Sequence, residues 1–345
     1  MSFLIQQTLL YSIPLMIVAL AGVFSERSGV INLALEGIMI MGAFIGVIAT
    51  RSLQSLQIFV DAQASGNWAM LQLMELMIML IAAFAGAVFS LLLSYSAINL
   101  RADQTIGGTA LNLLAPAICL FLIRVIANQN TLGMENGSSP ADWFMIKRST
   151  LGIDPMQKLD FFTETFVVKN YLATYICIII FVIMAIILYK TRFGLRLRAC
   201  GENPQAAASL GINVFKMRYA GVTMSGALAG MGGFVYAMTT QNCTSNGDVA
   251  GFGFLALAVM IFGNWKPLNI AFASLIFGFF KCIAASYSTL DINGDGVYFL
   301  RDTIKVSPYL YMMMPFVITL IVLSLTSKNS RAPKAEGIPY DKGMR

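Results

Sequence analysis

Nine apolar stretches divide the chain: Phe3–Phe24, Leu33–Ala49, Leu76–Ile98, Thr105–Ala127, Leu172–Tyr189, Met217–Thr240, Gly251–Gly263, Leu268–Tyr287 and Pro308–Thr326. They are continuous rather than alternating, so helices, not barrel strands, satisfy the backbone in lipid. At 1.5 Å per residue, about 20 residues cross a hydrocarbon core. Leu33–Ala49 and Gly251–Gly263 are short for that, and each follows a polar, Gly-bearing break, SERSGVIN and NGDVAG. Short, interrupted segments mark broken helices that line a pathway, and full crossings and re-entrant helices both fit the pattern. No Lys or Arg precedes the first stretch, so Phe3–Phe24 reads as a retained span rather than a cleaved leader. The fold class is an all-α polytopic membrane protein of about nine transmembrane helices, some short, broken or re-entrant. It forms a single transmembrane domain over 1–327, followed by a basic tail at 328–345.

Charge placement orients this array. The segment Lys190–Arg218 carries Lys190, Arg192, Arg196, Arg198, Lys216 and Arg218 against Glu202 alone. The tail adds Lys328, Arg331, Lys334, Lys342 and Arg345. Both segments belong on the cytoplasmic side by the positive-inside rule. An odd number of crossings then places the N-terminus outside and the C-terminus in the cytoplasm. It also puts the mixed-charge loop 128–170 and residues 291–302 outside. The net charge of +6 needs no nucleic-acid partner, because topology accounts for it. Only 12% of residues are charged and mean hydropathy is +0.73, which excludes an ordinary soluble domain.

Other chemistry falls away in turn. The chain has no histidine, so triads and His-ligated metals are excluded. No Gly-Lys dipeptide occurs, so there is no phosphate-binding G-x-x-x-x-G-K-[ST] loop. Cys119, Cys177, Cys200, Cys243 and Cys282 are scattered without a C-x-x-C pair and read as small hydrophobes. The Gly42/Gly46 and Gly226/Gly230 pairs predict close helix packing. The chain is therefore expected to be no enzyme and to hold no cofactor.

Four constellations remain. Ser25–Glu36 places Asn32 and Glu36 on one helix face between two apolar stretches. A carboxylate there is costly unless it faces a cavity or a partner, so Glu36 is either a pathway site or a brace to Arg101 or Lys281. Ala102–Asn112 puts Thr109 and Asn112 on one face behind Gly107 and Gly108, neutral groups suited to an uncharged polar solute or to helix packing. Within the basic segment, Asn203, Pro204, Ala206–Ala208 and Gly211 spell the cap, first turn, body and left-handed stop of one short helix. Ala206, Ala207 and Leu210 give it a shallow apolar face, and Glu202 sits at its favourable N-terminal end. Finally, Asp291, Asn293, Asp295 and Gly296 match the opening of a Ca²⁺ loop with Asp302 at the twelfth position, although an Asn/Gly/Asp turn explains the same letters. Lys281, inside an apolar stretch, is snorkelling, paired or lining the pathway.

The stretch GENPQAAASLGIN resembles the cytoplasmic coupling loop of ABC-transporter permeases. Its E-A-A-x-x-x-G pattern is filled by Gln205 through Gly211, with Gln205 in place of the acidic residue. With SERSGVINLALEGIMIMGAF, ADQTIGGTALNLLA and GFGFLALAVMIFGNWKP, it is similar to the nucleoside-uptake branch of the branched-chain amino acid, simple sugar and nucleoside permease family. That resemblance implies a bacterial inner-membrane importer. Two permease chains, often non-identical, would form the pathway, and an extracytoplasmic binding lipoprotein would deliver the substrate. A cytosolic ABC ATPase carrying ATP and Mg²⁺ would grip Glu202, Asn203, Gln205, Ala206, Ala207 and Gly211. Asn32, Glu36, Thr109 and Asn112 are the pathway candidates. Import of a sugar or a branched-chain amino acid on the same scaffold is the alternative. A secondary transporter or channel would leave the short helix unexplained.

Overall fold

The computed structural model describes residues 2–134, 141–148, 150, 152–154, 160–287, 307–326 and 332–341. The Ca²⁺ candidates Asp291, Asn293, Asp295 and Asp302 lie outside them. Helices α1 (Ser2–Glu26), α2 (Leu35–Gln54), α4 (Trp68–Ser94), α5 (Gln104–Ala127), α8 (Leu172–Lys190) and α13 (Pro267–Ser286) are long and apolar enough to cross a membrane. A five-residue π-turn, Tyr95–Asn99, prolongs α4. Between these lie the short α3 (Gln57–Ala64), α6 (Ala141–Phe144), α7 (Phe161–Phe166), α9 (Arg192–Glu202) and α10 (Pro204–Ser209). The 27-residue α11 (Val214–Thr240), the 11-residue α12 (Phe252–Phe262) and α14 (Pro308–Thr326) complete the order.

Of the two short stretches, one lengthens. The stretch taken as short at Leu33–Ala49 becomes a 20-residue helix, because α2 runs on through Arg51 to Gln54. A cation in the last turn suits the negative end of the helix dipole, so Arg51 extends the helix rather than ending it. The other short stretch stays short: α12 is 11 residues, about 16 Å, half a hydrocarbon core. It opens after left-handed Gly251, and residues 241–251 before it are not helical.

Helices α1, α2, α4 and α11 make the centre, and glycine lets them touch. A Cβ on Gly42 would sit 2.1 Å from the Gly230 carbonyl oxygen, and one on Gly86 would sit 2.3 Å from that of Gly226. Gly42, Gly226 and Gly230 of the predicted pairs are thus backbone contact points, while Gly46 makes room for the Phe234 ring. The outward faces of α4, α5 and α8 carry exposed Leu80, Phe84, Leu113, Phe121 and Ile179, as a lipid-facing surface requires.

The bundle has two distinct ends. At one, Gln6 near the start of α1 donates to the Glu164 and Val168 carbonyls, and Leu132 pairs with Ser245. At the other, the end of α1, the segment α9–α10, the base of α11 and residues 332–341 pack together. The N-terminus and residues 332–341 therefore stand at opposite ends.

Candidate functional site: two helix breaks and an exposed short helix

The first break lies between α1 and α2. Its loop is bonded at nearly every turn: the Ser25 hydroxyl donates to the Val30 carbonyl (2.8 Å), and the Ile31 amide donates to Gln104 Oε1 (2.8 Å). Fully buried Asn32 spends its amide on the Ser225 hydroxyl (2.9 Å) and its Oδ1 on the Ala34 amide (3.1 Å). Asn112, from α5, accepts from the Gly37 amide (2.8 Å) and donates to the Leu33 carbonyl (2.7 Å). One side chain thus satisfies both a donor and an acceptor that the broken helix leaves open. Gly108 allows this approach, since a Cβ there would lie 2.9 Å from Leu33 Cβ. Asp103 caps α5 through the Thr105 and Ile106 amides, and those bonds hold its carboxyl below the usual range.

The second break precedes α12. Glu36 reaches from the first turn of α2 to the N-terminus of this half-helix. Its Oε1 accepts from the Gly251 amide (2.9 Å) and its Oε2 from the amides of Gly253 (2.6 Å) and Phe254 (3.3 Å). An anion at a helix N-terminus meets unpaired N–H groups and the positive end of the dipole. Lys281 stands behind it, donating to the Ala250 carbonyl (3.2 Å) and lying 4.9 Å above the Phe252 ring. The carboxylate therefore braces backbone, with Lys281 holding the other side of the same turn. Beyond α12, the Trp265 indole donates to buried Glu26 at the end of α1, and the Tyr189 hydroxyl donates to the Trp265 carbonyl.

The four pathway candidates thus divide. Asn32, Glu36 and Asn112 meet around the two breaks. Thr109 does not join them: it is exposed, and its hydroxyl turns back onto the Thr105 and Ile106 carbonyls of its own helix. Glu26, which the sequence places with Asn32 and Glu36 between the two apolar stretches, belongs to the node, and so does Gln104, which the sequence did not single out for it. Glu75 is another buried carboxyl, on α4 beside Ala173 at the start of α8. Among the described residues no group of His, Cys, Asp or Glu is arranged to hold a metal ion.

The short helix is built as its letters imply. Asn203 Oδ1 accepts from the Ala206 amide (3.0 Å), Pro204 occupies the first turn, and Gly211 is left-handed with φ +81°. Glu202 is paired with Arg27 (3.3 Å). The outer face presents Gln205, Ala206, Ser209 and Leu210, with Leu210 82% exposed. Ala207 is on the opposite face, buried with Cys200, Val214 and Tyr340. Ala207, expected at the ATPase contact, thus lies against this chain's own C-terminal segment in the structure.

The comparisons agree with this architecture. The profile of the family described as branched-chain amino acid transport system / permease component matches residues 4–323. The guanosine ABC transporter permease protein NupQ of Bacillus subtilis is 39% identical, the match covering 100% of this chain and 98% of that one. The nucleoside ABC transporter permease protein NupC of Lactococcus lactis is 38% identical over 99% of this chain and 98% of its own length. A putative glucose ABC transporter permease of Haloferax volcanii, TsgC13, is 25% identical over 93% of this chain and 90% of its own. No solved structure matches significantly. The broken half-helix, the short capped helix and the full-length likenesses place the chain in one group: it belongs to the family of branched-chain amino acid transport system permease components.

Proposed function

We propose that this chain is a permease subunit of an ATP-driven nucleoside importer in a bacterial cell membrane. The observation that carries the reading is near-complete coverage by relatives named for nucleosides and guanosine, at 38–39% identity. The exposed face of α10 is the contact for a separate ABC ATPase, with Leu210 as its apolar anchor. A second, non-identical permease chain completes the pathway, and an extracytoplasmic lipoprotein delivers the substrate. In this reading the end carrying α9–α10 and residues 332–341 is cytoplasmic, and the N-terminus is outside. The basic charges at that end support the orientation. The two breaks are the moving parts. Asn32, Glu36 and Asn112 hold the backbone of both in register, and a polar, uncharged solute passes along the surface they shape.

The test is uptake of radiolabelled guanosine into vesicles holding the whole complex, competed with unlabelled nucleosides, sugars and amino acids. Competition by nucleosides alone is the expected result. Competition by glucose or leucine instead would replace the substrate class while leaving the scaffold in place.

A further inference from the structure

The C-terminal segment 332–341 is not a free tail. The Ala335 amide donates to the Gly201 carbonyl (2.9 Å), just before α10. The Gly337 amide donates to the Gly29 carbonyl (3.3 Å), in the break between α1 and α2. Arg218, 1% exposed at the base of α11, donates to the Ile338 carbonyl (2.9 Å). The Tyr340 ring meets Phe215 edge to face at 5.4 Å and packs in the cluster containing Ala207 of α10. Asp341 pairs with Arg101 (2.9 Å), ahead of α5. Arginine is almost never fully buried without partners, so this segment is part of what makes the Arg218 site tenable.

One ten-residue stretch therefore touches the short helix, the base of α11, the head of α5 and the first break. We propose that segment 332–341 is a strap that carries displacement of α10 to the break between α1 and α2, making its residues positioning elements of transport. The inference rests on α10 being the ATPase contact. Without the strap, α10 reaches the first break chiefly through the half-exposed Arg27–Glu202 pair and the packing of Gly201 on Arg27. Exposed pairs of that kind are weak.

Gly337 gives the means of release. Its φ is +75°, a conformation that a β-branched side chain rarely adopts, so Gly337→Val opposes docking through backbone strain. The experiment is hydrogen exchange on the full permease–ATPase complex in lipid nanodiscs, with and without ATP. In the unsubstituted complex, ATP should change exchange at both 203–211 and 29–37. In Gly337→Val, segment 332–341 should lose protection, the response at 203–211 should persist, and that at 29–37 should vanish. Uptake per ATP hydrolysed should fall roughly tenfold. A wild-type response at 29–37 with the strap unprotected would overturn the proposal alone. No response at 203–211 in the unsubstituted complex would overturn the ATPase contact beneath it. Tyr340→Ala, a milder release, guards against a folding defect; loss of complex assembly in both variants would reduce the strap to a folding element and also overturn the proposal.

Discussion

Replacing Glu36 with glutamine separates a brace from a solute-binding group. The carboxylate accepts from three backbone amides, those of Gly251, Gly253 and Phe254. Glutamine keeps one acceptor oxygen. If that oxygen stays on Gly253 and Phe254, its amide nitrogen faces the Gly251 N–H, donor against donor. A hydrogen bond to a charged group contributes about 1.5–3 kcal/mol, and an unmet buried donor costs about 1–3 kcal/mol. The surviving bonds also weaken as the acceptor loses its charge. A local loss of about 2–4 kcal/mol follows for the first turn of α12, which makes its opening about 30- to 700-fold more frequent. Hydrogen exchange at residues 251–254 of the purified complex reads this directly, and the same region should exchange faster in Glu36→Ala. Unchanged exchange there, with a raised KM for uptake, would refute the bracing argument and return Glu36 to the role of a solute contact.

Further outcomes follow from the same geometry. Leu210→Glu should abolish co-purification with the ATPase while leaving membrane insertion intact, because Leu210 projects from the exposed face of α10. Asn112→Leu should lower the melting temperature through loss of about 2–4 kcal/mol, since it orphans the Gly37 amide and the Leu33 carbonyl. Gly42→Val should prevent assembly altogether, read as aggregation on size exclusion, because its Cβ alone would sit 2.1 Å from the Gly230 carbonyl. Strap docking should depend on pH. Burial, opposed by the hydrogen bond with Glu26 and by the Arg27 charge, pushes the Glu336 carboxyl up from 4.5 to about 7. The docked form thus prefers the protonated acid: its advantage is complete below 4.5 and is lost as pH rises through about 7. Intrinsic-rate-corrected protection of 332–341 should fall across that window, and Glu336→Gln should flatten the profile.

The helices were legible because apolar runs of this length have few other solutions in lipid. The short helix was legible because Asn203, Pro204 and Gly211 each have a position-specific backbone role. Other features depend on partners far away in the chain. Ala207 looks like a surface alanine in sequence, and the cluster that buries it includes Tyr340, more than a hundred residues on. Thr109 and Asn112 share a helical face by spacing, yet three residues along a helix separate a half-buried contact from an exposed position. The apolar stretch read from Leu76 starts just after Glu75, because a charge interrupts an apolar run. In the fold Glu75 is absorbed into the interior of α4, which starts at Trp68. Spacing offers Glu36 as a pathway site or a brace to Arg101 or Lys281; its partners are instead the amides of Gly251, Gly253 and Phe254, because a helix terminus at Gly251 is a tertiary fact that spacing does not encode.

The two breaks are not independent, and that gives the node its mechanical sense. Asn112 fixes the backbone at Leu33 and Gly37, and Glu36 lies between them. The position of the carboxylate that caps α12 is therefore set by α5. Gly253 enforces this closeness, since a Cβ there would lie 2.4 Å from Glu36 Cα and leave no room for slack. At its other end α12 runs into Trp265, whose indole is held by Glu26 on the far side of the first break. Both ends of the half-helix are consequently tied to residues flanking the same loop, 27–34. A shift of that loop moves both anchors of α12 together, so the half-helix tilts or translates as a rigid piece rather than unravelling. Densely packed interiors favour such discrete rearrangements over continuous bending. Arg27, at the outer edge of the loop, is in contact with Gly201 and Glu202 at the end of α9, which leads into α10. With the proposed strap bonding Gly29 inside the same loop, a displacement of α10 would be delivered to the residues that hold both ends of α12.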